Sequence, residues 1–265
     1  MKQIINFFLK LNIYNIFHRF FGRKIFKFFK IFFVDTDLKE IPHLNHPLKI
    51  DYNIEFDKYK KTISSNCIPF TSYSHILDLI KITEKFKKKE INFLDYGAGS
   101  LELFAYLSKN IKKIKYFYKD QEEYSLLINK IKKNNNLKKL EILEKNNINK
   151  NLDFAYFGGS LQYINGYRKM LKKIFKKSKF IIISQTPFYF NEKKQSDIVL
   201  KQLNLADNIN YLYLINYNSF LKFMKKNKFN LVSKNYNRVI KFLNFKNLKN
   251  KYHKIDMYDL LFEKK

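Results

Sequence analysis

Six glycines occur in 265 residues, and five of them fall at Gly97, Gly99, Gly158, Gly159 and Gly166. A chain so poor in glycine keeps it where a side chain does not fit. Gly97 and Gly99 follow the apolar run Ile91–Asp95, and Gly158 and Gly159 follow the run Leu152–Phe157. Both runs have the length and composition of strands. Both glycine pairs therefore fall at carboxyl ends of strands, where open α/β sheets bind ligands. The first cluster reads Asp95-Tyr96-Gly97-Ala98-Gly99-Ser100-Leu101-Glu102 and satisfies D-x-G-x-G, with Leu101 where a third glycine would stand. Asp120, followed by Gln121, ends the next apolar run. It lies about 20 residues beyond Gly99, the spacing at which a carboxylate reaches the hydroxyls of a ribose.

A ribose-bearing ligand is implied, and the turn discriminates between kinds. A dinucleotide places its pyrophosphate against backbone at the helix N-terminus. Leu101 is expected to hinder that approach, and Glu102 puts a negative charge in the first helical turn, where it suits the helix dipole but repels phosphate. S-adenosylmethionine has no phosphate and carries a sulfonium and an ammonium. An acid-rimmed turn suits it better, with Asp95 placed to accept from the ammonium directly or through water. The balance favours a methyl donor over NAD.

The second cluster adds polar groups: Ser160, Gln162 and Tyr163 follow Gly158 and Gly159. Of the five histidines, His18, His43, His46 and His253 lie in the front, linker or tail, while His75 precedes the first sheet strand where it can close over the site. His75 is the candidate base, with Gln162 and Tyr163 as candidate acceptor-side residues. No His/Glu spacing suggests a metal, and the lone Cys67 excludes an internal disulfide.

The segment Gly158–Ile164 resembles the Ser-x-Leu-Gln-Tyr-Ile element of a bacterial family of class I S-adenosylmethionine-dependent methyltransferases. The same family has a D-[FY]-G-[GA]-G turn, matched at Asp95–Gly99, and a Thr-Pro-Phe after its fifth strand, matched at Thr186-Pro187-Phe188. The resemblance covers about residues 70 to 235. Gln185 stands where the family commonly has arginine. The resemblance implies a Rossmann-like class I methyltransferase fold, with donor contacts from Asp95, Gly97, Ala98, Gly99, Asp120, Gln121, Gly158, Gly159 and Ser160. It implies a small-molecule or glycan-intermediate acceptor. The N/D-P-P-Y motif for exocyclic base nitrogens is missing, and Cys67 precedes the whole sheet, so nucleic acid rests on charge alone. A non-catalytic S-adenosylmethionine-binding module and a basic RNA-binding protein are the alternatives.

Elements alternate in the order these sites need. After a helix over 72–86, strands are expected at Ile91–Asp95, Ile114–Tyr118, Leu140–Leu143, Leu152–Phe157 and Phe180–Ser184, the last ended by Thr186-Pro187. Helices are expected at about 101–109, 122–133, 166–175 and 219–226, and further strands at Asn230–Ser233 and Met257–Phe262. Alternation of this kind gives an α/β fold with a mostly parallel sheet and helices on both faces.

The front differs. On a helical wheel over residues 1–34, Lys10, Arg19, Arg23, Lys24, Lys27 and Lys30 share one half, opposite Leu11, Tyr14, Phe21, Ile25, Phe29 and Phe32. Charges interrupt every stretch of about 18 residues, so a spanning helix is not expected. The pattern fits a basic amphipathic helix on an anionic membrane surface, or one docked on the domain. The expected organisation is this segment at 1–34, a linker or lid at 35–69 and the methyltransferase-like domain at 70–265. The expected location is cytoplasmic, peripheral at the inner face of the membrane. The net charge of +29, from 52 basic and 23 acidic residues, attracts polyanions but is spread along every segment.

Overall fold

In the computed structural model the described residues are 33–42, 52–64, 71–83, 90–143, 148–191, 196–203, 209–236, 248 and 254–265. In chain order the elements are β1 (Phe33–Asp35), α1 (Tyr52–Ser64), α2 (Thr71–Lys81), β2 (Ile91–Tyr96), α3 (Glu102–Asn110), β3 (Ile114–Lys119), α4 (Glu122–Asn134), β4 (Leu140–Ile142), β5 (Leu152–Gly158), α5 (Tyr167–Phe175), β6 (Ser178–Phe190), β7 (Ile198–Leu203), β8 (Ile209–Asn216), α6 (Tyr217–Lys226), β9 (Phe229–Tyr236) and β10 (Lys254–Lys264).

Strands β2, β3, β4, β5 and β6 are parallel, in the spatial order β4-β3-β2-β5-β6. The chain moves one way from β2 through β3 to β4 and the other way from β5 to β6. The junction of β2 and β5 is thus the topological switch point, where such sheets open a crevice. β10 lies antiparallel between β6 and β9.

These strands are apolar on both faces because both faces are covered. Leu94, Ala155, Phe157, Ile181 and Ile183 face a core that includes Leu171 and Ile174 of α5 and Phe220 and Met224 of α6. Phe93, Phe154, Tyr156, Phe180 and Ile182 face the other core, with Ile76 and Ile80 of α2 and Leu103, Phe104 and Leu107 of α3. Each such side chain contributes about 1.5–3 kcal/mol of burial. That is ample to fix which face each strand turns to which layer.

Three regions depart from expectation. β6 does not end at Thr186-Pro187 but runs through it to Phe190. Its pairing with β5 stops at Ser184 and its pairing with β8 begins at Phe188, while Pro187 itself stands opposite Met257 of β10. An insertion then follows: β7 and β8 form an antiparallel pair, β8 continues the sheet beyond β6, and β1 pairs with β7. The span 35–69 contains helix α1 as well as linker. Residues 1–32, and with them nearly all of the amphipathic segment, lie outside the described residues, as do Cys67, His43, His46 and His253. Among the described residues no helix is long and apolar enough to cross a membrane.

Candidate functional site

Because β2 and β5 are neighbours, with Asp95 paired to Tyr156, the bends that follow them meet at one rim. Gly97 has φ +72°, in the left-handed region, and a β-carbon there would overlap Ser160. The Ser160 hydroxyl donates to the Tyr96 carbonyl at 2.6 Å. The Gly159 N–H donates to the Ser184 carbonyl at 2.9 Å, tying the second bend to β6. At Gly158 the obstruction is steric: the Tyr156 ring and hydroxyl fill the space of a side chain. The two glycine clusters therefore form one continuous backbone surface.

β3 holds the first bend from beside it. Tyr116 and Tyr118 alternate along that strand on one face, and Asp120 follows its last residue. Asp120 Oδ2 accepts from the Gly99 N–H at 2.5 Å, and Oδ1 accepts from the Gln121 N–H at 2.7 Å. The Tyr118 hydroxyl donates to the Gly99 carbonyl at 2.6 Å, so this glycine is gripped at both ends by β3 and the residue just past it. Partial burial pushes the Asp120 carboxyl up, against the opposing pull of its two backbone N–H bonds and Lys119. Gly97 and Ala98 donate to the Lys119 carbonyl at 2.7 and 3.4 Å. The Gln121 side chain is exposed at the start of α4.

Asp95 is buried beneath this bend, where the Tyr116 hydroxyl donates to it. Burial, less the effect of that hydrogen bond, lifts its carboxyl from 3.8 to about 7, and the charge of Asp120 adds to the rise. Leu101 requires a correction: its side chain is fully buried in the core under α3 and does not obstruct the turn. The acidic charge expected in the first turn is there, with Glu102 Oε2 accepting from the Ser100 hydroxyl at 3.0 Å.

On the acceptor side, Gln162 is buried and its amide is engaged. Its Nε2 donates to the Gly159 carbonyl at 2.8 Å, and its Oε1 accepts from Thr186 at 3.3 Å. Tyr163 is 39% exposed, and its hydroxyl donates to Gln202 of β7 at 3.0 Å. The insertion thus reaches over the loop after β5. His75 of α2 sits with Nε2 3.4 Å from Asp259 of β10, and Asp259 in turn accepts from the Ser184 hydroxyl. A β-bulge sets Ser184 and Gln185 opposite Asp259 alone, and Gln185 takes φ +55° there. Asp259, Ser184, Tyr116, Tyr118 and Gln202 were not singled out by sequence reasoning. Only the alternation 116–118–120 carried a signal, since the others depend on long-range register. Among the described residues no group of three or more His, Cys, Asp or Glu is placed to hold a metal ion.

No family model matches the sequence, and no curated protein does. Solved structures do match. An S-adenosylmethionine-dependent methyltransferase from Clostridium acetobutylicum superposes with a TM-score of 0.51 at 15% identity, over 80% of this chain and 98% of its own. A protein from Listeria monocytogenes described as an S-adenosylmethionine-dependent methyltransferase gives 0.50 at 15% identity, over 74% and 100%. The [4+2]-cyclase SpnF gives 0.52 at 8% identity, over 80% and 93%. The chain has the Rossmann-like α/β fold of class I methyltransferases. The cyclase is a reminder that a fold hosts more than one reaction, so chemistry must be argued from the site.

Proposed function

We propose that this chain is an S-adenosylmethionine-dependent methyltransferase acting on an uncharged small-molecule or glycan-type acceptor. The observation that carries the donor assignment is the shared surface of the two bends, with Asp120 held at the Gly99 N–H on the neighbouring strand. In this reading the backbone of Gly97, Ala98 and Gly99 lies along the donor, with Asp95 below its amino-acid end. Asp120 and Gln121 face the ribose, each Asp120 oxygen having a lone pair beyond the one its backbone N–H uses. Gly158, Gly159 and Ser160 close the opposite side.

The donor supplies an electrophilic methyl carbon, and transfer needs an acceptor atom in line behind it. The chain's part is to position and desolvate the acceptor, and to take a proton where the acceptor bears one. Gln162 fixes the loop after β5, Tyr163 presents its ring at the rim, and His75 is the proton acceptor of the set. Three segments on this side, residues 154–167, 180–191 and 209–221, contain no Asp, Glu, Lys, Arg or His, although 28% of the chain is Asp, Glu, Lys or Arg; the ionisable groups beside them include Lys201 and the His75–Asp259 pair. Anionic acceptors are usually met by Arg or Lys at hydrogen-bond range. This composition instead supports a neutral, hydrogen-bonding acceptor.

Titration calorimetry with S-adenosylmethionine tests the donor assignment. Saturable one-to-one binding is expected, falling at least about tenfold in Asp120→Ala, in line with loss of a charge-assisted hydrogen bond. Absence of binding, or an affinity unmoved by that change, defeats the proposal.

A further inference from the structure

The lysine excess is spread along the sequence but not evenly over the fold. Helices α1 to α4, on one side of the sheet, carry eight basic and six acidic residues. Helices α5 and α6, on the other side, carry seven basic residues and no acidic one. The asymmetry extends past the helix ends, since residues 154–191 and 208–255 contain no Asp or Glu. The helix dipole does not account for it. That dipole favours an acid in the first turn, which α1, α3 and α4 each have and neither α5 nor α6 has.

These charges form one face. On α5 the buried side is Tyr167, Leu171, Ile174 and Phe175, and Lys169, Lys172, Lys173 and Lys176 stand exposed opposite it at helical spacing. On α6 the buried side is Tyr217, Phe220 and Met224, with Lys222, Lys225 and Lys226 exposed. The two helices pack together: the Phe175 and Phe223 ring centroids are 5.7 Å apart, and Arg168 of α5 donates to Ser219 of α6 at 3.2 Å. Two acids border the face, Asp197 and Glu263, and they are paired with Arg168 and Lys179. Both helices end near the amino end of β6. α5 leads into that strand directly, and α6 leads into β9, whose Phe229 lies opposite Lys264, next to the Glu263–Phe180 pair. The lysines of the last turns therefore lie at the end of the sheet away from the crevice.

The chemistry of the face fits a broad anionic surface and not a single anion. Lysine is a point charge on a flexible stem, and the planar fork of Arg168 is already occupied by Asp197. Neither α5 nor α6 exposes a large apolar or aromatic side chain, so the face has no wedge for insertion into acyl chains and no ring on which a base could stack. What it offers is a lysine array against a plane of charge. We propose that the α5–α6 face adsorbs to an anionic phospholipid surface, by electrostatic contact without insertion. The crevice, at the carboxyl ends of the strands, then stays open to solution. This surface is separate from the basic segment at 1–34, and the proposal does not depend on the donor assignment.

The test is co-sedimentation of the full chain with vesicles of phosphatidylcholine alone and of phosphatidylcholine mixed with phosphatidylglycerol, in rising salt. Adsorption to the mixed vesicles only is expected, and it should fall as salt shortens the reach of the charges. Lys172→Gln, Lys173→Gln, Lys225→Gln and Lys226→Gln combined should weaken it at least about tenfold. The same loss of charge across the sheet, by Lys130→Gln, Lys133→Gln, Lys138→Gln and Lys139→Gln, should weaken it less than about threefold, because those lysines face away from the bound surface. Whatever residues 1–34 add is common to both variants, and circular dichroism verifies that both are folded. Equal losses from the two variants overturn the proposal, since net charge alone would then govern adsorption. Failure of the unaltered protein to adsorb to the mixed vesicles overturns it too. Displacement from those vesicles by poly(U) at equal phosphate concentration also overturns it, and assigns the face to nucleic acid.

Discussion

Ser160 occupies the volume that a side chain on Gly97 would claim, and its hydroxyl is bonded to the carbonyl just before that glycine. The bends of β2 and β5 are thereby mutually dependent. Gly97→Ala must meet two penalties, a left-handed φ and an overlap with Ser160. We expect a loss of about 1–3 kcal/mol of stability by urea unfolding. Donor affinity should fall more than tenfold, since the displaced bend forms one wall of the site. Adding Ser160→Gly to Gly97→Ala should recover the overlap part but not the φ part. A double variant no better than the single one would show that the two bends do not press on each other.

Asp95 makes stability depend on pH in an unusual direction. Its carboxyl titrates near 3.8 in the unfolded chain and at about 7 when folded. Between those values the folded protein retains a proton that the unfolded chain has released. This contribution is therefore fully present below about pH 4 and is lost as pH rises through 7. At about 1.4 kcal/mol per tenfold change in proton affinity, the ceiling on the effect is roughly 4 kcal/mol. Asp95→Asn cannot ionise, so it should flatten the decline between pH 5 and 8 and be the more stable protein at pH 8. Urea midpoints across that range decide it. Parallel pH curves for both proteins would mean that Asp95 is ionised throughout.

The parallel core was legible because its strands are short apolar runs, and β2, β3 and β5 end in glycine or acid and lead into amphipathic helices. The meeting of the two bends depends on β2 and β5 being neighbours at the switch point, a long-range pairing that two glycine clusters at strand ends do not themselves give. Pro187 misled because β6 pairs with β10 straight through it, and that partner strand lies far along the chain. β7 and β8 were missed although Tyr211–Ile215 is rich in strand formers. Both faces of that pair are buried, so the alternation that marks a half-exposed strand is lacking. Helix α1 did carry a pattern, with Tyr52, Phe56 and Tyr59 on one side. The prolines and histidines before it masked that signal. Leu101 was placed correctly in sequence and wrongly in space, because its side chain packs into the core with Leu103, Phe104 and Leu107.

The Gly99 peptide is held by Tyr118 at its carbonyl and Asp120 at its N–H, and the two bonds should not be equal in effect. Tyr118→Phe removes a neutral donor and leaves the ring's packing intact. A net cost of about 0.5–1.5 kcal/mol is expected. Donor affinity should fall only a few-fold, because Asp120 still fixes the bend. Calorimetry on this variant beside Asp120→Ala orders the two contributions. A larger loss from Tyr118→Phe than from Asp120→Ala would reverse the hierarchy and make Tyr118 the principal support of the turn.

Asp197 at the start of β7 is the point at which the insertion is fastened to the methyltransferase fold. It accepts from Tyr167 at 2.8 Å, from Arg168 Nη2 at 3.1 Å and from the Asn216 N–H at 3.0 Å. Arg168 also donates to Ser219, and Asn216 caps α6 by accepting from the Ser219 N–H at 2.8 Å. One carboxylate thus joins α5, β7 and the β8–α6 corner, immediately downstream of the loop that carries Gln162 and Tyr163. Asp197→Ala leaves a buried phenol and a half-buried guanidinium without their acceptor. We expect a cost of about 2–4 kcal/mol, somewhat below the roughly 3–5 kcal/mol of a fully buried pair because Arg168 keeps some contact with solvent. Because part of that cost is the stranded Arg168 charge, Arg168→Met in the Asp197→Ala background should restore at least about 1 kcal/mol. Urea unfolding of the four proteins in this cycle provides the measure. Additive losses would show that Arg168 and Asp197 act separately, and that β7 and β8 are held over the site by their apolar faces alone.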